Sequence, residues 1–427
     1  IKNTLVPNYQ GLGKNVTTVD LYTPFLTNPS DPTSIDPSLF SNGINHPDAD
    51  GYNLMAQAWQ IAINDLGLTG CTDPCLNGDT TEFIGGSWNN GTPDSSMKAI
   101  VKSNYNTTTN GNLEACSVTI DNGVTVTIDA GNYFNVTSNI INNGTLTIEH
   151  EGSLVQVDDN SKATNNGTIE VKKSIIGYDD PTDFSIIGSP MTAETRDGVF
   201  NANLVTMNHI TGNFVPHPDI ATEDPGTENF ADEDGDNWDF NTTNIASGVG
   251  YLVGGPSGGG DYTSTHTQGT LNNGIISSTA IYNGTQIGSP NMLSNPYASA
   301  IDIHEFISAN TAIVDEVYFW EHITIPGSTI DYPGHRVNNY EMGDISMRNV
   351  GGGLAAPNAG GGASIPSQFM ASGQGFAIKA KTGGTVTFNN SMRVTGPNTG
   401  YRNNESIERL YLNIINPTYQ LHSSTLI

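Results

Sequence analysis

The most regular alternation of apolar and polar positions lies between residues 116 and 174. Asn122-Gly-Val-Thr-Val-Thr-Ile128, Asn143-Gly-Thr-Leu-Thr-Ile148 and Asn166-Gly-Thr-Ile-Glu-Val171 recur at intervals of 21 and 23 residues. Each unit is an Asn-Gly turn followed by an alternating, β-branched strand. A period of two puts Val124, Val126 and Ile128 on one face and the threonines on the other. One such strand cannot bury its own apolar face. Neighbouring repeats must stack, and the spacing predicts a β-solenoid over 116–174.

On either side the pattern changes. Val19-Asp-Leu-Tyr22 reads as a short strand, and Leu54, Met55, Ala58, Trp59, Ala62, Ile63 and Leu66 fall at helical spacing. That spacing predicts an amphipathic helix over 52–66 with a wide buried stripe. Residues 1–66 therefore read as the end of an α/β domain, and 67–115, rich in Gly, Asn and Thr and carrying Trp88, as a connection.

From 175 to 405 the signals are short strands and Gly/Pro turns, which predict a jelly-roll-like β-sandwich. There is a hint of duplication. Ser247-Gly-Val-Gly-Tyr-Leu-Val253 is similar to Ser372-Gly-Gln-Gly-Phe-Ala-Ile378, and Ile186-Ile-Gly-Ser-Pro190 to Met292-Leu-Ser-Asn-Pro296. A short helix is expected over 300–309, a buried strand over 317–320 and a glycine-rich mobile loop over 351–362. Residues 406–427 open a further β-domain. The fold class is mainly β.

Charge narrows the function. Fifteen Lys and Arg stand against 43 Asp and Glu, a net charge of −28. That excludes a nucleic-acid partner, which needs a basic face, and docking on an anionic leaflet. Only 14% of residues are charged, so Asn, Thr, Ser and Gly supply most of the polarity, as in extracellular β-proteins. No apolar run is long enough to span a bilayer. The absence of a signal peptide from a chain of secreted composition reads as a piece of a longer protein. Cys71-Thr-Asp-Pro-Cys75 has no second pair and reads as a small disulfide loop, not a zinc site, with Cys116 a small buried strand residue. Pairing of Cys116 with either of the others stays open.

Three blocks resemble known families. Asn42-Gly-Ile-Asn-His46-Pro-Asp-Ala-Asp-Gly51-Tyr-Asn-Leu-Met-Ala56 resembles the last conserved block of SGNH/GDSL esterases, in which His46 matches the general base. Asn42 stands where that family has the orienting Asp, and an amide does not stabilise an imidazolium by charge. Trp88-Asn-Asn-Gly-Thr-Pro93, Ala115-Cys-Ser-Val-Thr-Ile120 and Gly152-Ser-Leu-Val-Gln-Val157 resemble a repeat of large Bacteroidota proteins exported by the type IX secretion system. The ordered set Leu293-Ser-Asn-Pro-Tyr-Ala-Ser-Ala-Ile-Asp302, Tyr318-Phe-Trp320, Ser372-Gly-Gln-Gly-Phe376 and Thr385-Val-Thr-Phe-Asn-Asn-Ser-Met-Arg393 is similar to the region near their C-termini. The resemblance implies export across the outer membrane, a sorting domain beyond Ile427, and attachment, matrix or filament roles.

The metal candidate is Asp232-Glu-Asp234-Gly-Asp236-Asn-Trp-Asp239, whose alternating carboxylates around a Gly turn suit calcium, without the closing Glu of a full twelve-residue loop. Asp179, Asp180 and Asp183 read as a plain turn around Pro181. Tyr251, Trp238 and Trp320 are sugar-platform candidates set in or beside strands, where core packing is the commoner fate. Asn106, Asn143, Asn166 and Asn283 read as turn residues. Together these features predict an extracellular structural or adhesive segment that forms a homo-oligomer and meets cell-surface glycans or other surface proteins. The alternative is an SGNH-type esterase acting on acylated glycans, with carbohydrate-binding β-domains.

Overall fold

A computed structural model describes residues 19–41, 46–65, 75, 78–178, 181–200, 204–211, 238–282, 290–321, 323–325, 327, 340–358, 365–400, 411–416 and 421–426. The chain divides into two compact units, Ile1–Leu76 and Asn77–Ile427.

In the first unit the expected helix is present as α1, Ala49–Asp65. Asp48 caps it, its carboxylate accepting from the Gly51 N–H at 2.9 Å. Gly51 is obligatory by contact, since a Cβ there would stand 2.5 Å from the Leu39 carbonyl oxygen. Of the predicted stripe, Leu54, Met55 and Ala58 are half-buried and Trp59 is 51% exposed, while the side chains of Ala62 and Ile63 and the whole of Leu66 lie outside the described residues. Among the described residues, the single 3₁₀ turns Thr23–Phe25 and Pro37–Leu39 lie against α1. Residues 19–22 form no strand; the Asp20 side chain instead accepts from the Tyr22 and Thr23 N–H groups, turning the chain.

The second unit is mainly β and begins with a solenoid of about five turns. The first coil is β1 (Thr80–Ile84) with its hairpin partner β2 (Ser87–Trp88). The second holds β3 (Lys98–Val101), β4 (Tyr105–Asn106) and β5 (Leu113–Ala115), and the third β6 (Ser117–Ile120), β7 (Thr125–Ile128) and β8 (Tyr133–Val136). The fourth holds β9 (Ile140–Asn142), β10 (Thr145–Ile148) and β11 (Ser153–Gln156), and the fifth β12 (Ala163–Asn165) and β13 (Thr168–Tyr178). Apart from β2, which pairs antiparallel with β1, these strands pair in parallel in three sheets.

The Asn-Gly units stack in register as the repeat predicts: Thr125 pairs with Thr145, and Thr145 with Thr168. Tyr105, Val126, Leu146 and Ile169 form one buried column, and Ile128, Ile148 and Val171 another. The predicted face assignment holds, since Val124, Val126 and Ile128 are buried while Thr125 is exposed. The glycines of the repeat have two different reasons. Gly123 adopts φ +78°, open to glycine. A Cβ on Gly144 would lie 2.2 Å from the Val124 carbonyl oxygen, and one on Gly167 would lie 2.0 Å from that of Gly144. Asn142 and Asn165 join the coils from inside the same corner, side chain to side chain at 2.9 Å.

The solenoid begins earlier than the pattern indicates. Residues 80–115, expected as a connection, already form coils one and two, with β1 paired to β3 and β3 to β6 in parallel. Asn90-Gly91 and Asn110-Gly111 occur here too, but neither leads an alternating β-branched strand, the second being followed only by the three-residue Leu113–Ala115. Phe83, Trp88, Tyr105 and Phe134 close this end with ring centroids 4.8–6.0 Å apart.

β13 runs eleven residues, beyond the solenoid, and pairs antiparallel with β18 (Gly260–His266). One strand thus belongs to the last coil and to the sandwich region. The region is built twice. β14 (Phe184–Ile187), β17 (Tyr251–Gly254), β15 (Thr206–His209) and β16 (Trp238–Phe240) form one sheet in the order β14-β17-β15-β16. β20 (Asn291–Ser294), β26 (Gly375–Ile378), β22 (Glu316–Trp320) and β23 (Ile345–Asn349) repeat that order, with β24 (Gly352–Leu354) added at the edge. The β13–β18 pair has its counterpart in β19 (Ile276–Ala280) and β27 (Gly384–Phe388). The remaining strands are β25 (Phe369–Met370), β21 (Ala300–Asp302) and β28 (Arg393–Val394), in one small sheet, and the hairpin β29 (Tyr411–Asn416) with β30 (Leu421–Leu426).

The similar sequence segments sit at equivalent places and exchange partners. Gly188 donates to the Gly373 carbonyl at 2.8 Å while Ser294 donates to that of Gly248 at 3.1 Å. Ile187 bridges to Gln374 and Leu293 to Val249. Gly248 and Gly373 both have positive φ, 78° and 71°. The expected short helix is Ile303–Ala309, capped by Asp302, which accepts from the His304 N–H at 2.7 Å. The strand over 317–320 is half-buried, not buried, because only Val317 and Phe319 point inward. Part of the expected glycine loop is a strand: Gly352–Leu354 returns along β23 in a hairpin.

Candidate functional site

The densest buried polar chemistry lies where the sandwich region meets the solenoid. Arg393 follows the 3₁₀ turn Asn390–Met392 and is 6% exposed. Its guanidinium donates to the Leu154 carbonyl (Nη2, 2.6 Å), to Asn273 Oδ1 (Nη1, 2.9 Å) and to Ser299 Oγ (Nε, 3.3 Å), and lies 4.8 Å from the Tyr297 ring centroid. Burial lowers its pKa to about 10, which leaves it charged at neutral pH. Asn273 carries the link onward, donating to the carbonyls of Asp158 (3.2 Å) and Ser161 (2.9 Å). The Asn390 N–H donates to Asp159 Oδ1 at 2.8 Å, and Asn398 Nδ2 to the Gly152 carbonyl at 2.6 Å. These contacts explain why all four residues of β11 are buried although a strand normally shows one face outward.

A second polar group sits on the other side of the same junction. Ile169, Val171, Lys173 and Ile175 all point inward from β13. Lys173 is fully buried and its Nζ has no hydrogen-bond partner among the described residues. Desolvation lowers its pKa to about 7. Beside it on β18 are Ser264 and His266, which stands between Ser189 Oγ (3.1 Å) and Ser264 Oγ (3.4 Å). Burial, with Lys173 nearby, lowers His266 to about 3 and His150 to about 4. Both clusters escaped the sequence reading. The signal for Lys173 was present, because the period of two that places Ile169 and Val171 inward places Lys173 there too.

The predicted site residues are not brought together. His46 is exposed in the bend that enters α1, its carbonyl accepting from the Ser41 N–H at 2.9 Å. Asn42 lies outside the described residues, as do Asp232, Asp234 and Asp236. Asp239 is an exposed residue of the edge strand β16. Asp179 and Asp180 also lie outside, while Asp183 is buried, its carbonyl accepting from Gly255 at 3.0 Å. Among the described residues no three His, Cys, Asp or Glu side chains form a metal-holding group. Tyr251 is core, with its hydroxyl accepting from the Ala246 N–H at 2.8 Å. Trp320 is half-buried, edge-on to Tyr340 at 5.0 Å. Asn106 caps a helical turn, and Asn143 accepts from Asn166 at 2.9 Å across neighbouring coils.

The cysteines correct one expectation. Cys116 is not a free strand residue: it lies between β5 and β6, buried and disulfide-bonded. Cys75 is also buried and disulfide-bonded, and Cys71 lies outside the described residues.

Fold and junction together define a class: a parallel β-solenoid continuous, through one shared strand, with a duplicated β-sandwich region. Residues 84–427 match the family model described as a domain of unknown function (DUF8693), and the chain belongs to that family. No curated protein and no solved structure matches it. No helix among the described residues is long and apolar enough to cross a membrane.

Proposed function

We propose that this chain is an extracellular structural and adhesive segment of a large secreted surface protein, with the solenoid as a stiff spacer and the sandwich region as the contact body. The observation that carries the reading is β13, shared between last coil and sandwich, with Arg393 fixing the adjacent coil from the other side. A spacer hinged to its head would transmit no orientation; a shared strand does. Disulfide-bonded cysteines fit an oxidising compartment, and a surface of Asn, Thr and Asp suits contact with glycans or other surface proteins. The motif resemblance favours export by the type IX route. On this reading the acidic segment of Asp232, Asp234, Asp236 and Asp239 holds calcium, and calorimetric titration without heat or a melting shift would dismiss that part.

The test is surface labelling of intact source cells with an antibody against residues 84–427, together with attachment assays on cells lacking that segment. Labelling and loss of attachment support the reading. A segment found only inside the cell, with reduced cysteines, overturns it.

A further inference from the structure

Among the described residues, the duplicated architecture gives one strand edge a partner strand in the first repeat and none in the second. β13 has β18 on one side and the solenoid strand β10 on the other. Its counterpart β19 has β27 on one side and no strand on the other among the described residues; just beyond its end the Asn291 side chain accepts from the Ile281 N–H at 2.8 Å and donates to the Ile281 carbonyl at 3.0 Å, so the open edge is β19 itself. The likeness extends to the approach: Asn165-Asn166-Gly167 leads into β13 and Asn272-Asn273-Gly274 into β19. The second repeat thus presents an edge of the kind that, in the first, holds a strand.

The sequence of that edge identifies what it takes. Soluble proteins protect exposed edges with charges, Pro or bulges, because unpaired N–H and C=O groups recruit further strands. Residues 275–282, Ile-Ile-Ser-Ser-Thr-Ala-Ile-Tyr, contain no charge, Pro or Gly, in a chain of net charge −28. Ile275, Ile281 and Tyr282 are 67%, 48% and 56% exposed, and Ser277 and Thr279 also face solvent. Two copies of so acidic a chain repel almost everywhere else. An uncharged edge is where they can meet without opposing like charges.

We propose that β19 pairs antiparallel with β19 of a second copy across a twofold axis, making a closed dimer. The inference deepens the multimeric part of the reading above. A twofold pair needs no other surface, since each copy offers the same edge. Ser277→Lys/Thr279→Lys sets lysines against lysines across that axis and leaves the inward Ser278 and Ala280 untouched.

Sedimentation velocity of the whole chain over a concentration series, with hydrogen exchange of the 276–280 amides, tests it. The expected result is a reversible monomer–dimer equilibrium, slower exchange at 276–280 as dimer accumulates, and at least a tenfold weaker association in the double lysine variant at unchanged melting temperature. A wild-type chain that stays monomeric, or a dimer whose 276–280 amides exchange as in the monomer, overturns the proposal. The exchange readout needs no variant. A monomeric chain still found on intact cells would sink this interface alone and leave the surface role standing.

Discussion

Leu146→Ala removes an inner member of the four-residue apolar column Tyr105, Val126, Leu146 and Ile169. Leu146 is fully buried, with Val126 and Ile169 directly before and after it in register. Deleting the side chain beyond Cβ forfeits about 2 kcal/mol of transfer free energy at roughly 0.8 kcal/mol per carbon. A residual cavity of roughly 50–80 Å³ adds about 1–2 kcal/mol at about 24 cal/mol per Å³. The coils above and below are held by parallel backbone ladders and by contacts such as Gly144 against Val124, so they cannot collapse into the gap. The expected loss is therefore about 3–4 kcal/mol. Because β13 is common to both regions, the lesion should reach the sandwich. Urea unfolding followed by hydrogen exchange should show protection falling together in β10 and in β17 and β18. Ile141→Ala on the same coil, 39% exposed, should cost less than about 1 kcal/mol. A Leu146→Ala cost below about 1 kcal/mol, or a solenoid transition that leaves the sandwich midpoint unmoved, would refute the shared-strand reasoning.

Gly144→Ala should cost more than Gly123→Ala by thermal melting: the first drives a Cβ into a backbone oxygen 2.2 Å away, while the second meets open space and bears only a left-handed penalty of about 1–2 kcal/mol. Lys173 has a folded pKa lowered to about 7 from 10.5, so between those values the unfolded chain binds the extra proton and stability must rise with pH; Lys173→Met should flatten that rise in urea midpoints taken from pH 7 to 10. For His266 and His150, lowered to about 3 and 4 from 6.5, the same sign applies on the acid side: their contribution is present above pH 6.5 and is lost as pH falls towards their folded values. Arg393→Met strips charged donors from the buried Leu154 carbonyl and Asn273 and should cost about 2–4 kcal/mol by urea unfolding, with the β11 amides exchanging first.

Much of the fold was legible because it rests on short-range rules. The Asn-Gly headings and the period of two gave the stacking, the inward residues and the in-register threonines. The paired Gly-x-Gly segments gave the duplication, and both occupy equivalent strands. Coils one and two were not legible, since Lys98–Val101 carries no heading and Asn110-Gly111 leads only the short Leu113–Ala115; both strands are recruited by the rungs they touch. The hairpin at Gly352–Leu354 depends on β23 as a template, which low-complexity glycine does not announce. The junction was invisible for a similar reason: Arg393 and Leu154 are 239 positions apart, and only the tertiary fold tells a reader that a lone arginine faces a carbonyl. The candidate esterase and calcium residues came from local motifs, which cannot report whether partner groups converge.

In the solenoid the Asn-Gly strands lie one above another as successive coils of one stack. Nitroxide labels at the exposed positions Thr125 and Thr168, placed in a Cys71→Ser background, test it by dipolar broadening. Two rung spacings put their backbones about 10 Å apart, so strong broadening is predicted, and it should weaken for a Thr125 label paired with one at Thr279 in the sandwich region. A Thr125–Thr168 pair with no broadening would mean the strands are not stacked, and the account of the solenoid and its shared strand would fall.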